Sequence, residues 1–325
     1  MTHANLNPET QRNHNRRNAL HTALLIAGTG LLMGLMAYSV LGVLGLIGAA
    51  VFGAIGLASL SRMSPKLILN LYKARPLGDN ELPELQQVMR QLAKRADLPA
   101  VPQLHYVPSR MLNAFAVGTR QDSAIAITDG LVRGMTLRQI TGILAHETAH
   151  IANGDLKVMG LADVLNRITS LMSMIGLIGV PIVFGTGVDI PYVGLFMLIF
   201  APTIGGLLQL GLSRAREYDA DLDGVTLTGD PQGLVEALSA LENYQRGVWE
   251  GMFLPGSRVP QPSLLRTHPK TEDRIARLRA LTTGAATPPG SETRLRPDTL
   301  RGPHPSLVPH VSNPRIRWAR FGIYF

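Results

Sequence analysis

The chain has 325 residues, a mass of 35.1 kDa and no cysteine, which excludes disulfide scaffolds, thiol nucleophiles, cysteine-ligated zinc and iron–sulfur clusters. Its net charge of +8 is concentrated at the ends: residues 1–17 hold three Arg and one Glu, and residues 282–325 hold six Arg and two acidic side chains, so the stretch between carries only +2. That is too little for a nucleic-acid-binding face, and a mean hydropathy of +0.14 with 46% hydrophobic and 17% charged residues points instead to a membrane protein.

Residues 1–17 read as a short cytoplasmic tail. Residues 18–61 carry no charge over 44 positions and are rich in Leu, Ala, Ile, Val and Gly. As one helix they would extend about 66 Å, roughly twice a hydrocarbon core. Two spans joined by a turn near residues 37–45 are therefore expected, with eight glycines allowing the helices to pack closely. The stretch is too long for the apolar region of a cleavable signal peptide. Arg12, Arg16 and Arg17 precede it and Arg62, Lys66, Lys73 and Arg75 follow, with no basic residue in its middle, which puts both flanks on the cytoplasmic side.

The first polar piece, residues 62–167, contains three segments that read as short strands, 104–107, 112–117 and 123–128. Thr136-Leu137-Arg138-Gln139 reads as a capping box opening a helix. Its apolar positions are Leu137, Ile140, Ile143, Leu144 and Ile151, and Asn153-Gly154 ends it. On it sits His146-Glu147-Thr148-Ala149-His150. The two histidines, four apart, project from one face and can share one metal ion, while Glu147 stands beside them, placed to take a proton from a water. Of the nine histidines, His3, His14, His21, His304 and His310 lie near the ends, leaving His105 and His268 as the other imidazoles of the central part.

Residues 168–212 form a second nearly uncharged stretch, interrupted only by Asp189, and divide into apolar pieces at 168–184 and 192–212. Lys157 and Arg167 precede the pair and Arg214 and Arg216 follow it, the pattern of another hairpin returning to the cytoplasm. Pro181, Pro202 and Gln209 leave core or interfacial helices open as the alternative. The second polar piece, residues 213–281, completes with the first a domain large enough for its own core. It carries Ser213-Arg214-Ala215-Arg216-Glu217-Tyr218-Asp219-Ala220-Asp221. A catalytic zinc needs a third protein ligand and an open position. Glu217 and Asp221, one helical turn apart, face the same way, so that Glu217 can bind the metal and Asp221 can hold a ligand imidazole by its free N–H. Such a pair taken alone is ordinarily a solvated face. Topology raises it here, because an even number of crossings between His150 and Glu217 is what returns Glu217 to the metal. Residues 282–325, with seven prolines and few aliphatics, read as a disordered tail whose basic end, 315–321, either is solvated or touches an anionic membrane.

Four motifs together resemble the HtpX family of membrane zinc metalloproteases, relatives of the CAAX prenyl endopeptidases. They are Asn113-Ala114-Phe115-Ala116-Val117-Gly118, the run from His146 through His150 to Ile151-Ala152-Asn153-Gly154-Asp155, the segment from Ser213 to Asp221, and Thr267-His268-Pro269 with Arg274-Ile275. The resemblance covers residues 18 to about 280. It implies an α+β, mainly α, polytopic membrane protein with two transmembrane hairpins and a gluzincin-type zincin domain, the His-Glu-x-x-His helix packed beside a small β-sheet. It assigns one zinc ion per chain to His146, His150 and Glu217, the general base to Glu147, and oxyanion stabilisation or substrate orientation to His268 and Arg274. It also makes Asn113, Ala114, Phe115 and Ala116 the edge strand that pairs with extended substrate; from the residues alone a purely structural hairpin is an equal reading. The implied activity is endoproteolysis of membrane or membrane-proximal polypeptides on the cytoplasmic side of the inner membrane, in quality control of misfolded membrane proteins. The partners are the lipid bilayer and polypeptide substrates, with no nucleic acid. A CAAX-type prenyl-protein endopeptidase and a membrane scaffold with structural zinc are the alternatives.

Overall fold

The computed structural model describes residues 8–62, 65–185, 191–252, 271–281, 295, 317–319 and 322–324. The first helix, α1 (Pro8–Arg62), breaks at Gly42, whose backbone (φ 60°, ψ −140°) is one that a residue without Cβ adopts readily. Its two arms fold back on each other: Met33 and Ala37 pack with Ala49, although Met33 and Ala49 would lie about 24 Å apart along a straight helix. The turn falls inside the expected 37–45.

A short helix, α2 (Pro65–Leu71), then lies on a four-stranded sheet. Its strands are β1 (Arg75–Pro76), β2 (Gln103–Val107), β3 (Ala114–Gly118) and β4 (Ser123–Thr128), with α3 (Pro83–Arg95) between the first two. The order is β1-β2-β4-β3; β2 and β4 run parallel, and the other neighbours antiparallel. β4 is buried at every position, and β3 forms one edge. β3 starts two residues later than the expected 112–117 because Thr128 ties Asn113 down: its Oγ1 accepts from Asn113 N at 3.0 Å and donates to Asn113 O at 2.9 Å. β1 was not expected, since two residues ending in proline carry no alternation.

After α4 (Asp129–Gly134) comes α5 (Leu137–Asn153), bounded as its sequence predicts. Thr136 Oγ1 accepts from Gln139 N at 3.3 Å, Gln139 Oε1 accepts from Thr136 N at 2.9 Å, and Gly154 closes the helix in the left-handed region. Ile140, Leu144 and Ile151 of α5 are fully buried in one core with Ile125, Ile127 and Leu131.

α6 (Asp155–Gly185) and α7 (Tyr192–Thr228) run antiparallel, Gln209 reaching back to Asp163 near one end and Ser173 bonding Leu198 O further along. Among the described residues, three helical stretches are long and apolar enough to cross a membrane: Thr22–Gly56, which is bent at Gly42, Asp155–Pro181 and Tyr192–Thr228. Large apolar side chains such as Leu44, Val43 and Ile178 point outward from them, as lipid contact requires. The apolar piece 192–212 and the start of the second polar piece form one unbroken helix, because the change from apolar to polar residues at 213 brings no glycine or proline to end it. α8 (Pro231–Met252) and α9 (Thr271–Leu281) complete the domain. Most of the tail expected to be disordered, 282–325, lies outside the described residues. Within it Leu295 is buried in the main core, and β5 (Arg317–Ala319) pairs with β6 (Gly322–Tyr324).

Candidate active site

The site forms where α7 crosses α5 at close range. Glu217, Asp221 and Gly224 make one stripe of α7, and a Cβ on Gly224 would stand 3.1 Å from His146 N, tighter than an ordinary van der Waals contact, so the glycine eases the close approach of the two backbones. All three side chains expected to bind metal converge there and are buried. The His146 and His150 rings lie edge to face with centroids 4.7 Å apart, and their Nε2 atoms are 3.2 Å apart. Glu217 closes the group, with Oε2 at 3.5 Å from His146 Nε2 and Oε1 at 3.8 Å from His150 Nε2.

Each imidazole is backed by a carboxylate. His146 Nδ1 lies 3.0 Å from Asp221 Oδ1, and His150 Nδ1 donates to Asp155 Oδ2 at 2.8 Å. With a carboxylate beside each Nδ1, the two Nε2 atoms and the Glu217 carboxylate converge on the same point. Three acceptors facing one another in a buried space repel unless a cation lies among them, so the donor set fits a divalent ion of the borderline-soft kind that binds imidazole and carboxylate. Burial pulls the His146 pKa down, but Asp221 and Glu217 outweigh it and raise it to about 10.

The carboxylates are anchored in turn. Arg274, on α9, donates from Nε and Nη2 to Asp221 at 2.7 and 2.5 Å, and its Nη1 lies 3.1 Å from Glu217 Oε2. Arg274 lies at the site with all three guanidinium nitrogens turned to the carboxylates. Arg216 Nη1 meets Asp155 Oδ1 at 3.0 Å, while its Nη2 bonds Thr22 Oγ1 of α1. Asp155 and Arg216 are additions to the expected set. Asp155 follows the helix-ending Gly154 and Arg216 precedes Glu217, so both flank recognised motifs, but neither spacing says that a chain reversal will bring them together.

Glu147, next to His146 on α5, is half-buried, and its Oε2 accepts the Ala116 amide at 2.9 Å. β3 pairs with β4 in an antiparallel register, and the N–H of Ala116 points to the opposite, free edge, where Glu147 takes it. Ala114 shares that outward phase. Asn113 precedes the strand, and the Phe115 ring turns to the far face of the sheet, against Tyr72. His268 lies outside the described residues.

The family model for peptidase family M48 matches residues 79–282. The chain is 38% identical over 279 residues to a Protease HtpX homolog of Acaryochloris marina, covering 80% of this chain and 94% of that protein. It is 33% identical over 281 residues to the Protease HtpX of Legionella pneumophila subsp. pneumophila, covering 81% and 99%. Among solved structures it is similar to S. mikatae Ste24p, with a TM-score of 0.48 and 20% identity, covering 81% of this chain and 65% of that one.

Proposed function

This chain belongs to peptidase family M48, among its HtpX proteases, and from that premise we propose that it is a zinc endopeptidase acting on membrane or membrane-proximal polypeptides at the cytoplasmic surface of the inner membrane. His146 Nε2, His150 Nε2 and a Glu217 oxygen would hold the ion. When bound, zinc supplies Lewis acidity that polarises a carbonyl and lowers the pKa of a water toward about 7.

The observation that carries the reading is the meeting of Glu147 with the free edge of β3 at Ala116, beside the three converging ligands. An extended polypeptide pairs with the edge through main-chain hydrogen bonds that begin at Ala114, the Ala116 N–H being held by Glu147; such bonds are indifferent to its side chains and suit a protease of varied substrates. Glu147 Oε2 takes the proton of the attacking water and delivers it to the leaving amine. Asp221 and Asp155 fix the tautomer of the two imidazoles, and Arg274 holds Asp221 and Glu217 in place. By resemblance, His268 and Arg274 meet the developing oxyanion, and clearance of misfolded membrane proteins is the biological setting.

Glu147→Gln keeps every ligand and loses the proton acceptor. The purified variant should bind metal at the wild-type stoichiometry and cleave casein about 10² to 10⁴ more slowly. Cleavage at the wild-type rate would remove Glu147 from the role of base.

A further inference from the structure

α2 is apolar on two opposite faces. Leu69 is buried against the sheet with Val107, Val117, Ala124 and Ala126, and Ile68 and Phe115 pack around them. On the other side Leu67 and Leu71, one turn apart, are 56% and 75% exposed, and Tyr72 is 55% exposed. Among the described residues outside α1, α6 and α7, the other exposed large apolar side chains are Val101 and Met111. Three of the five therefore sit in six consecutive positions that begin five residues after α1 ends. A helix apolar on both faces is ordinarily enclosed, and here one face is left open by the described residues.

What covers it follows from continuity and charge. α1 ends at Arg62 and α2 starts at Pro65, so the exposed face begins where the membrane-crossing arm stops. Exposed Lys66 and Lys73 flank it, and a tyrosine marks its end, the composition that lies in the headgroup layer of an anionic bilayer. The same segment is attached to the catalytic edge: the Tyr72 ring lies 4.8 Å from that of Phe115, and Phe115 is the β3 residue between Ala114 and Ala116. β3 thus has α5 on one face and α2 on the other.

We propose that the outward face of α2, formed by Leu67, Leu71 and Tyr72, docks in the headgroup–acyl boundary of the bilayer that α1 crosses and thereby seats the free edge of β3 at the membrane surface, so that polypeptides presented in the bilayer are favoured over soluble ones. The first half stands on the α2 surface alone; the second rests on the peptidase reading.

The absence of cysteine allows a direct test in the full chain, reconstituted in vesicles of phosphatidylcholine and phosphatidylglycerol. Leu67→Cys and Leu71→Cys each carry a nitrobenzoxadiazole label, and Arg90→Cys, exposed on α3, gives the water-facing reference. Labels at 67 and 71 should emit to the blue of the reference, be quenched by nitroxide lipids substituted high on the acyl chain, and be shielded from aqueous iodide. Emission and iodide quenching equal to those at position 90 would overturn the docking. For the second half, a casein segment is supplied either soluble or fused to a transmembrane helix. Leu67→Gln/Leu71→Gln should slow cleavage of the fused form about tenfold and leave the soluble form unchanged. Equal rates on both forms, or equal losses, would overturn the preference. The label depth needs no proteolysis, so a wild-type protein that cleaved neither form would defeat the peptidase reading while the docking was still decided by the labels.

Discussion

Two buried chains of polar contact, His146–Asp221–Arg274 and His150–Asp155–Arg216, surround the ligand cluster. Their logic is electrostatic. A carboxylate behind each imidazole strengthens it as a ligand, but a buried carboxylate without a cation of its own is costly, and each arginine removes that cost. Asp155→Asn keeps the shape and removes the charge, so it should weaken zinc binding about 10- to 100-fold, measured by competition with a chromophoric chelator. Unchanged affinity would mean that packing alone orients His150. The same cluster fixes the pH dependence of metal uptake. Metal takes the unprotonated imidazole, and in the metal-free protein the His146 pKa is raised to about 10, so uptake at neutral pH expels a proton. Apparent affinity should therefore fall as pH drops from about 9 to about 6, by at most about tenfold per unit for this one group. A flat profile would show that His146 is already neutral before metal arrives.

At the scale of elements, the ligand geometry depends on how closely α7 approaches α5. Gly224→Val places a branched side chain 3.1 to 3.2 Å from the backbone of His146, and overpacking of this kind costs about 1–3 kcal/mol. Since Glu217 and Asp221 ride on the same stripe, the variant should lose zinc affinity together with thermal stability, whereas a packing defect elsewhere in the core would lower stability alone. Zinc titration alongside a melting curve separates the two. This dependence also explains which parts were legible beforehand. The limits of α5 were readable because Thr136, Gln139 and Gly154 set them through local bonds. Glu217 was readable because its spacing to Asp221 and its place after a second hairpin are properties of the chain alone. Asp155 and Arg216 were not, since they meet only through the reversal at Gly154 and the return of α7, contacts that span 61 positions.

In the molecule as a whole, membrane bundle and site are not separate bodies joined by a linker. α7 carries both a candidate span and Glu217, α6 begins with Asp155, and α1 supplies Thr22 to Arg216, so helices of the bundle carry Glu217 and the groups that back His150 of α5. A metal held as proposed by α5 and α7 would tie together elements that the unfolded chain leaves far apart, and would bind the folded state. By mass action, free metal at about 1,000 times its dissociation constant adds roughly 4 kcal/mol to stability. Chelation should therefore lower the melting temperature of the detergent-solubilised protein, and Glu217→Ala, which removes the α7 ligand, should melt near the chelated wild type and respond little to chelator. Wild-type protein that melts at the same temperature with and without chelator would mean that the α5–α7 crossing is held by the arginine–carboxylate pairs and the glycine contact alone, with the metal contributing chemistry and no cohesion.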